Sequence, residues 1–477
     1  MRARRLSELV ELMQPAAVEL VGDDALVGPD VVIDNRAATE GSLFVAIPGE
    51  RVEGHRFAPA AVQAGARGVI GTRLTEADVP HLLGADSVQT LSWLARGVVR
   101  EARSRGMLSI GVTGSSGKTS TKDLMTQVFE AAGPTVAPEG SQNNELGVPL
   151  TACRVDDTTA YLVSEMGARG IGHIAWLTSL VGLDIGVVLN IGRAHVGEFG
   201  GMEVTAQAKA ELVGDLPEDG WAVLNHDDEL VRGMRSATRA RVAWFGEGEP
   251  EGGELRVTAR DVTLNQLSQP SYTLVVADSD GERTAPVSLQ VIGRHQVSNS
   301  LAAAAAALAA GLDLTLIATS LSGARPRSAW RMELHPRADG VLILNDSYNA
   351  NPDSMAAALH TVAELVEGSR SSHPQARGIA VLGDMLELGP LSADLHRELG
   401  RLAADLGLAE VVAVGGFAED IVAGAREENL PARASVRESV VASLNLGPGD
   451  VVLIKGSRGV GLETVAAELA ARDGETK

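Results

Sequence analysis

The chain has 477 residues, too many for one ordinary hydrophobic core and enough for two to four domains. Hydrophobic residues make up 45% and charged residues 22%, the balance of a soluble globular protein, but aromatics supply only 3%, so the cores must be built from Ala, Val, Leu and Ile. The formal net charge is -21, from 62 acidic against 41 basic residues, which argues against a nucleic-acid or anionic-membrane partner, since both need clustered Lys and Arg. The lone cysteine, Cys153, excludes an intrachain disulfide and fits a reducing compartment. Arg2, Arg4 and Arg5 look like the start of a signal peptide, but no long apolar stretch follows them. The Ala-rich run from Leu301 to Ala310 is too short to cross a bilayer, which takes ~20 apolar residues. The expectation is a cytoplasmic protein.

In chain order, the first segment mixes short apolar runs, such as Ser42 to Ile47, with turn signals such as Pro48-Gly49, and ends in a helical pattern from Leu91 to Arg105. It has no glycine-rich dinucleotide fingerprint. Leu108 to Thr113 then reads as a short buried strand, and similar runs recur at Ala160 to Val163, Ile185 to Asn190 and Trp221 to Leu224. Strands alternating with helices predict a parallel sheet covered on both faces. Gly246 to Ser288 reads as extended, turn-rich pieces at a sheet edge or in an insertion, and Val297 to Ala310 as a long Ala/Leu helix. Gly323 to Ser328 looks like a linker. Beyond it, Val341 to Leu344, Ile379 to Leu382, Val411 to Val414 and Val451 to Ile454, each followed by a loop and a helix pattern, predict a second α/β unit.

The strongest chemical signal is Gly111-Val-Thr-Gly-Ser-Ser-Gly-Lys-Thr-Ser120, a strand running through a glycine-rich loop into a helix. Glycines let such a loop curl so that N–H groups point at phosphate oxygens, and the helix N-terminus adds positive potential. Lys118 brings charge to the β- and γ-phosphates, and the Thr119 hydroxyl suits Mg²⁺. From Gly114 to Lys118 the loop is shorter than the common spacing of this motif. Glu165, after the apolar run Tyr161 to Ser164, reads equally as a metal or phosphate partner and as an exposed strand-end glutamate. His195 lies in a loop at the same sheet edge, where a histidine is more often solvated than functional. Lys209, in a helix of small residues, reads on spacing alone as a surface lysine. Asn299 reads first as a helix cap and second as a base contact. The cluster Asn345 to Ser354 follows a strand, with Pro352 and Asp353 suited to the first turn of the next helix, where α/β sheets bind ligands. Lys455-Gly-Ser-Arg458 offers a second basic loop on the same unit.

In this order, the shortened phosphate loop (Thr113 to Thr119), Asn143-Asn144, Glu165, His195, Lys209, Asn299, Arg331 and Asp346 resemble the Mur ligase family, over essentially the whole chain. The resemblance implies an α/β protein of three domains. Residues 1–106 would form a small UDP-binding domain, 107–324 a central parallel-sheet ATPase, and 325–477 a Rossmann-like domain for the incoming amine. Thr113, Gly114, Ser115, Ser116, Gly117, Lys118, Thr119, Asn299, Arg331 and Asp346 would bind ATP. Thr119 and Glu165 would hold one Mg²⁺, and His195 and Lys209 a second, with Lys209 carried as an N-carbamate. Lys118, Glu165, His195 and Lys209 would be catalytic. Asn35, Arg36, His55, Asn143, Asn144, Tyr348, Asn349, Asn351 and Ser354 would contact the other substrates. Asn35 stands where Ser or Thr is expected.

Within the family, Val381 to Gly389 resembles members that add D-alanyl-D-alanine to UDP-N-acetylmuramoyl-tripeptide through an acyl phosphate. The chain has no Asp-Asn-Pro-Arg motif of the kind that marks the third-residue-adding ligases. Its phosphate loop lies ~100 residues in, a small domain's length, rather than near the N-terminus as in folylpolyglutamate synthetases. The implied enzyme is a monomer. A phosphate-loop switch protein, the reading from another class, would leave Lys209, Glu165 and the polar cluster after residue 345 without a use.

Overall fold

The computed structural model describes residues 1–49, 52–193, 201–250 and 252–472. Three α/β bodies follow one another along the chain, each built on its own sheet. The first has five short strands in spatial order Glu19–Val21, His81–Leu83, Gly68–Gly71, Leu43–Val45 and Val31–Val32, parallel except for the first pair. The second has nine strands, in the order Gly281–Ser288, Pro270–Asp278, Leu255–Leu264, Arg241–Gly246, Trp221–Asn225, Ile185–Val188, Leu108–Thr113, Tyr161–Glu165 and Thr135–Val136. The third has six, in the order Glu333–Pro336, Leu342–Asn345, Val451–Lys455, Gly378–Gly383, Glu410–Val414 and Ala432–Ala434.

The central strands read as continuous apolar runs because both faces are covered. Leu108–Thr113, Tyr161–Glu165 and Ile185–Val188 are buried almost throughout. The strands from Thr135 to Leu264 pair in parallel, and the stretch that looked like an edge is one: Pro270–Asp278 and Gly281–Ser288 close the sheet as an antiparallel hairpin. The outermost strand is mostly exposed. Leu108–Thr113 sits mid-sheet; the next strand in sequence, Thr135–Val136, lies on one side of it and Ile185–Val188 on the other. Its carboxyl end is therefore a topological switch point, where open α/β sheets form their ligand crevice. Helix Gln296–Ala309 covers this face with a fully buried run, Ala302 to Ala307, whose small side chains let it pack against helix Lys118–Glu130 and the strands.

The three bodies are joined in two different ways. Helix Ser87–Arg103 packs on helices Gly147–Ala152 and His173–Val181, so one hydrophobic cluster runs from Leu6, Leu9 and Leu94 to Val148, Leu177 and Val181 without a break. The C-terminal body has its own apolar clusters, and Ile292 is the central-body residue that joins them. It meets the central body through polar contacts instead. Arg327 forms a two-pronged pair with Glu130, Ser328 N–H donates to Asp123 Oδ2 at 3.0 Å, and Arg193 N–H donates to Asp353 Oδ2 at 2.9 Å. The Gly323–Ser328 linker is thus strapped along helix Lys118–Glu130 rather than free.

Within the C-terminal body, helices Ser392–Asp405 and Ala418–Glu427 touch backbone to backbone. A Cβ on Gly424 would lie 1.9 Å from Arg397 O, and one on Gly400 would lie 2.1 Å from Ile421 O. Gly424→Ala must separate these helices, and overpacking of this kind costs about 1–3 kcal/mol. The expected result is an earlier melting of the C-terminal body, read by differential scanning calorimetry, with the unfolding of the other two bodies unmoved.

Candidate active site

At the carboxyl end of strand Leu108–Thr113 the chain turns through Gly114 to Gly117 into helix Lys118–Glu130. Gly117 is the helix N-cap with φ of +80°, a conformation that L side chains resist, and a Cβ there would lie 2.6 Å from Asn299 Oδ1. The loop's amides are divided between two tasks. Ser115 N–H and Ser116 N–H donate to Asn190 Oδ1 at 3.1 and 2.9 Å, which fixes the loop's shape. The amides of Gly117, Lys118 and Thr119 donate to no acceptor among the described residues, leaving a row of N–H groups at a helix start for an anion. Lys118 folds back over the loop, its Nζ donating to Gly114 O at 2.7 Å and to Ser115 O at 3.5 Å. Burial holds its pKa below the ordinary lysine value; Glu165 pulls upward and Arg331 pushes further down.

Glu165, the last residue of strand Tyr161–Glu165, is fully buried rather than an exposed strand end. Its Oε1 accepts from Ser141 Oγ and Asn143 Nδ2, both at 2.7 Å, while Oε2 has no hydrogen-bond partner among the described residues. A buried carboxylate oxygen left unpaired beside a phosphate loop fits a hard cation. Among the described residues no three His, Cys, Asp or Glu side chains form a metal cluster. The fit is therefore to an ion such as Mg²⁺, held by one carboxylate, the Thr119 hydroxyl, phosphate oxygens and water.

Lys209 corrects its reading as a surface lysine. Helix Met202–Gly214 turns it inward, and it is 3% exposed, lining the same cleft as Lys118 and Glu165. The spacing misled because the helix has small residues on every face, so no amphipathic period marks its inner side. Burial, helped by the positive charge of Lys118, pushes the amine down to about 7.

The C-terminal body supplies the opposite wall of this cleft, whose volume is about 940 Å³. Arg331 reaches across, Nη2 donating to Thr119 Oγ1 at 3.3 Å, with its guanidinium 4.2 Å from the Tyr348 ring centre. Asn351 and Ser354 line the cleft, but most of their polar atoms form the capping box of helix Pro352–Arg370, which begins at Pro352 as the sequence predicts. Asn349 also lines it, and Asn144 turns its Oδ1 to the amides of Leu146 and Gly147.

Several of the expected residues do not line this cleft. Asn299 is no cap: it is the fourth residue of its helix, buried, with Oδ1 accepting from Thr121 Oγ1 at 3.2 Å and Nδ2 donating to Gln296 Oε1 at 2.9 Å. Asp346 is buried behind the cleft wall, paired with Lys455 Nζ at 2.6 Å and accepting from Met332 N–H at 3.1 Å. Lys455 is therefore internal, not a cation of a basic loop. Asn35 and Arg36 sit in a short turn of the N-terminal body, where Arg36 pairs with Asp34 at 2.6 Å. His55 is buried there, its Nδ1 2.6 Å from Glu53 Oε1 and its Nε2 accepting from Thr72 N–H at 3.1 Å. His195 lies outside the described residues.

The sequence reading missed Asn190, Ser141, Arg169, His173, Leu386, Glu387 and Ser457, all of which line the cleft or shape it. Asn190 carried a signal, as a carboxamide two residues past a buried strand next to the phosphate loop. Leu386 and Glu387 lie in the Val381 to Gly389 stretch singled out by resemblance, but nothing local put them in the cleft, because their place depends on His396. That ring is fully buried, stacked on Phe417 at 4.6 Å, and accepts from Met385 N–H through Nε2 at 2.8 Å while Nδ1 donates to Ser392 O at 2.6 Å.

The Lys209 environment is directly measurable. In the metal-free protein, lysine Cε-detected NMR should give this side chain a titration midpoint near 7 instead of the ordinary 10.5. Between those values the folded state binds fewer protons than the unfolded chain, so Lys209 favours folding more as pH rises through that window. A midpoint in the ordinary range would show that the amine is hydrated.

Three family descriptions match the chain: "Mur ligase family, catalytic domain" over residues 30–98, "Mur ligase middle domain" over 112–307 and "Mur ligase, glutamate ligase domain" over 330–458. A UDP-N-acetylmuramoyl-tripeptide–D-alanyl-D-alanine ligase of Mycobacterium bovis is 39% identical, with 98% of each chain covered. A crystal structure of MurF from Acinetobacter baumannii superimposes with a TM-score of 0.85 at 29% identity, covering 99% of this chain and 100% of that one. The Thermotoga maritima MurF ligase in complex with ADP gives 0.72 at 27% identity, over 92% and 97%. With matching models in all three bodies and a relative this similar over its full length, the chain belongs to the Mur ligase family.

Proposed function

We propose that this protein is the ATP-dependent ligase that adds D-alanyl-D-alanine to UDP-N-acetylmuramoyl-tripeptide, yielding the pentapeptide precursor of peptidoglycan. The observation that carries the reading is one cleft between two bodies. It combines free phosphate-loop amides, Lys118, an unpaired Glu165 oxygen and the buried Lys209 amine, and a separate α/β body forms its far wall. The substrates are those of the similar ligases.

A carboxylate oxygen of the tripeptide attacks the γ-phosphorus, the bond to the β-phosphate oxygen breaks, and ADP leaves. The dipeptide amine then attacks the acyl carbon of the resulting acyl phosphate, a proton leaves the nitrogen, and inorganic phosphate departs. Lys118 and the free amides of Gly117 to Thr119 offset the charge that builds on the phosphoryl oxygens. Mg²⁺, held by Thr119 and Glu165, would shield the repulsion between carboxylate and phosphate. His195 and Lys209 belong to a second such ion in this reading, with Lys209 as its N-carbamate. Its support is a buried amine whose pKa burial pushes down to about 7, which favours the neutral form that is nucleophilic toward CO₂. Asn299, Arg331 and Asp346 would serve the nucleotide, and Arg331 already reaches Thr119. Residues 1–106 would take the UDP end through Asn35, Arg36 and His55, 107–324 the ATP, and 325–477 the dipeptide. In this reading the enzyme acts as a monomer in the cytoplasm, where its ATP is supplied. Among the described residues no helix is long and apolar enough to cross a membrane.

Phosphate release should require ATP, Mg²⁺ and both peptide substrates, with pentapeptide detected by mass. Release that ignores the peptides would instead mark a phosphate-loop switch. Lys118→Met should lower kcat by about 10²- to 10³-fold, the usual cost of one transition-state donor. With ¹³C-bicarbonate, a carbamate carbon resonance should appear and be lost in Lys209→Met; its absence from the wild type removes the carbamate from this account.

A further inference from the structure

The far wall of the cleft carries two guanidinium groups, and only one of them is committed. Arg331 is spent on Thr119 Oγ1, beside the phosphate loop. The Arg458 guanidinium makes no hydrogen bond or ion pair with any group among the described residues. Another exposed cation in the cleft, Arg169, is neutralised by Glu145 at 2.9 Å.

Arg458 is nevertheless not adrift. Its Cζ lies 5.4 Å from the ring centre of Trp330 and 5.5 Å from that of Tyr348, so aromatic faces support it while its N–H donors stay available. The supports are themselves fixed. Trp330 holds a left-handed φ of +60°, costly for a bulky residue, and its carbonyl accepts from Tyr348 N–H at 3.3 Å. Behind Arg458, Ser457 N–H donates to Asp384 O at 2.9 Å and Ser457 Oγ accepts from Leu386 N–H at 3.1 Å. The loop bearing Arg458 is thereby locked to the segment that His396 holds against the same wall.

The amine-bearing substrate has two ends. Its amine must reach the acyl phosphate on the phosphate-loop side, and its free carboxylate, the other end, needs a cation away from that side. A planar guanidinium matches a carboxylate with two parallel hydrogen bonds. We propose that Arg458, presented on Trp330 and Tyr348, is a specificity-determining residue that binds the terminal carboxylate of the incoming dipeptide. Held there, the dipeptide has only its amine directed at the reacting carbon. This inference rests on the ligase reading above and adds the recognition element for its second substrate.

The test compares D-alanyl-D-alanine with its C-terminal amide, D-alanyl-D-alaninamide, in the full-length enzyme with ATP, Mg²⁺ and UDP-N-acetylmuramoyl-tripeptide. The wild type should prefer the acid over the amide in kcat/KM by about 10- to 100-fold, the range for one charge-assisted carboxylate contact. In Arg458→Gln that preference should fall to near one, through a raised KM for the acid. Arg458→Lys, which keeps charge but loses the planar fork, should retain part of it. A variant that keeps the wild-type preference, that loses acid and amide alike, or whose KM rises for ATP instead of the dipeptide overturns the assignment. A wild type that makes no dipeptide-dependent product overturns the ligase reading instead, so the two failures are told apart.

Discussion

Two ionisable side chains, Glu165 and Lys209, are taken out of water at one edge of the central sheet, with Lys118 half-buried beside them, and much of the local structure answers to that fact. Burying charge without compensation is expensive, and removing one partner of a buried set costs more than the set contributes. The fold supplies partial compensation. Ser141 and Asn143 serve one oxygen of Glu165, the carbonyls of Gly114 and Ser115 serve Lys118, and Lys209 lowers its own cost by giving up its proton near neutral pH. The second oxygen of Glu165 and the amides of Gly117 to Thr119 are left unserved. A site of this kind is stabilised by what binds to it, and ligand binding should raise its stability by mass action.

The way the bodies join fits the same demand. The N-terminal and central bodies share one apolar cluster, and such an interface resists sliding because close-packed side chains have few alternative arrangements. The C-terminal body is held through Arg327, Ser328, Arg193 and Arg331, contacts that water can replace at little cost. A reaction that passes through an acyl phosphate must exclude water and yet release product, so one wall of the cleft has to open. A polar seam gives way more readily than a close-packed apolar one. The linker is strapped to helix Lys118–Glu130 beside the phosphate loop, and the left-handed residues Trp330 and Met332 flank Arg331 where the C-terminal body begins.

Much of this was legible in the residues themselves. The strand–loop–helix at Gly111 to Ser120 announces its own geometry, because glycine is strongly favoured where the backbone turns left-handed and Lys118 follows at the helix start. The buried parallel strands showed as unbroken apolar runs, the edge hairpin as alternating, turn-rich pieces, and the helix at Pro352 by its proline and its capping residues. Family membership could be read from the order of the motifs, which no single residue would have carried.

What the tertiary structure alone decided is which side chains face inward and what they meet there. Lys209 looked exposed because its helix is small-residue on all sides, and only packing against the central sheet chose the buried face. Asn299 and Lys455 were misjudged for the same reason: local pattern gives a position along an element, whereas partners such as Thr121 and Asp346 lie 178 and 109 residues away in sequence. The roles of Asn190 and His396 follow from segments meeting across the sheet ends, and Arg458 gains its meaning from two aromatic rings brought to it by two other segments. Sequence fixes local backbone chemistry through short-range sterics and hydrogen bonding. The environment of a charge is set by long-range packing, and that environment decides what the charge can do.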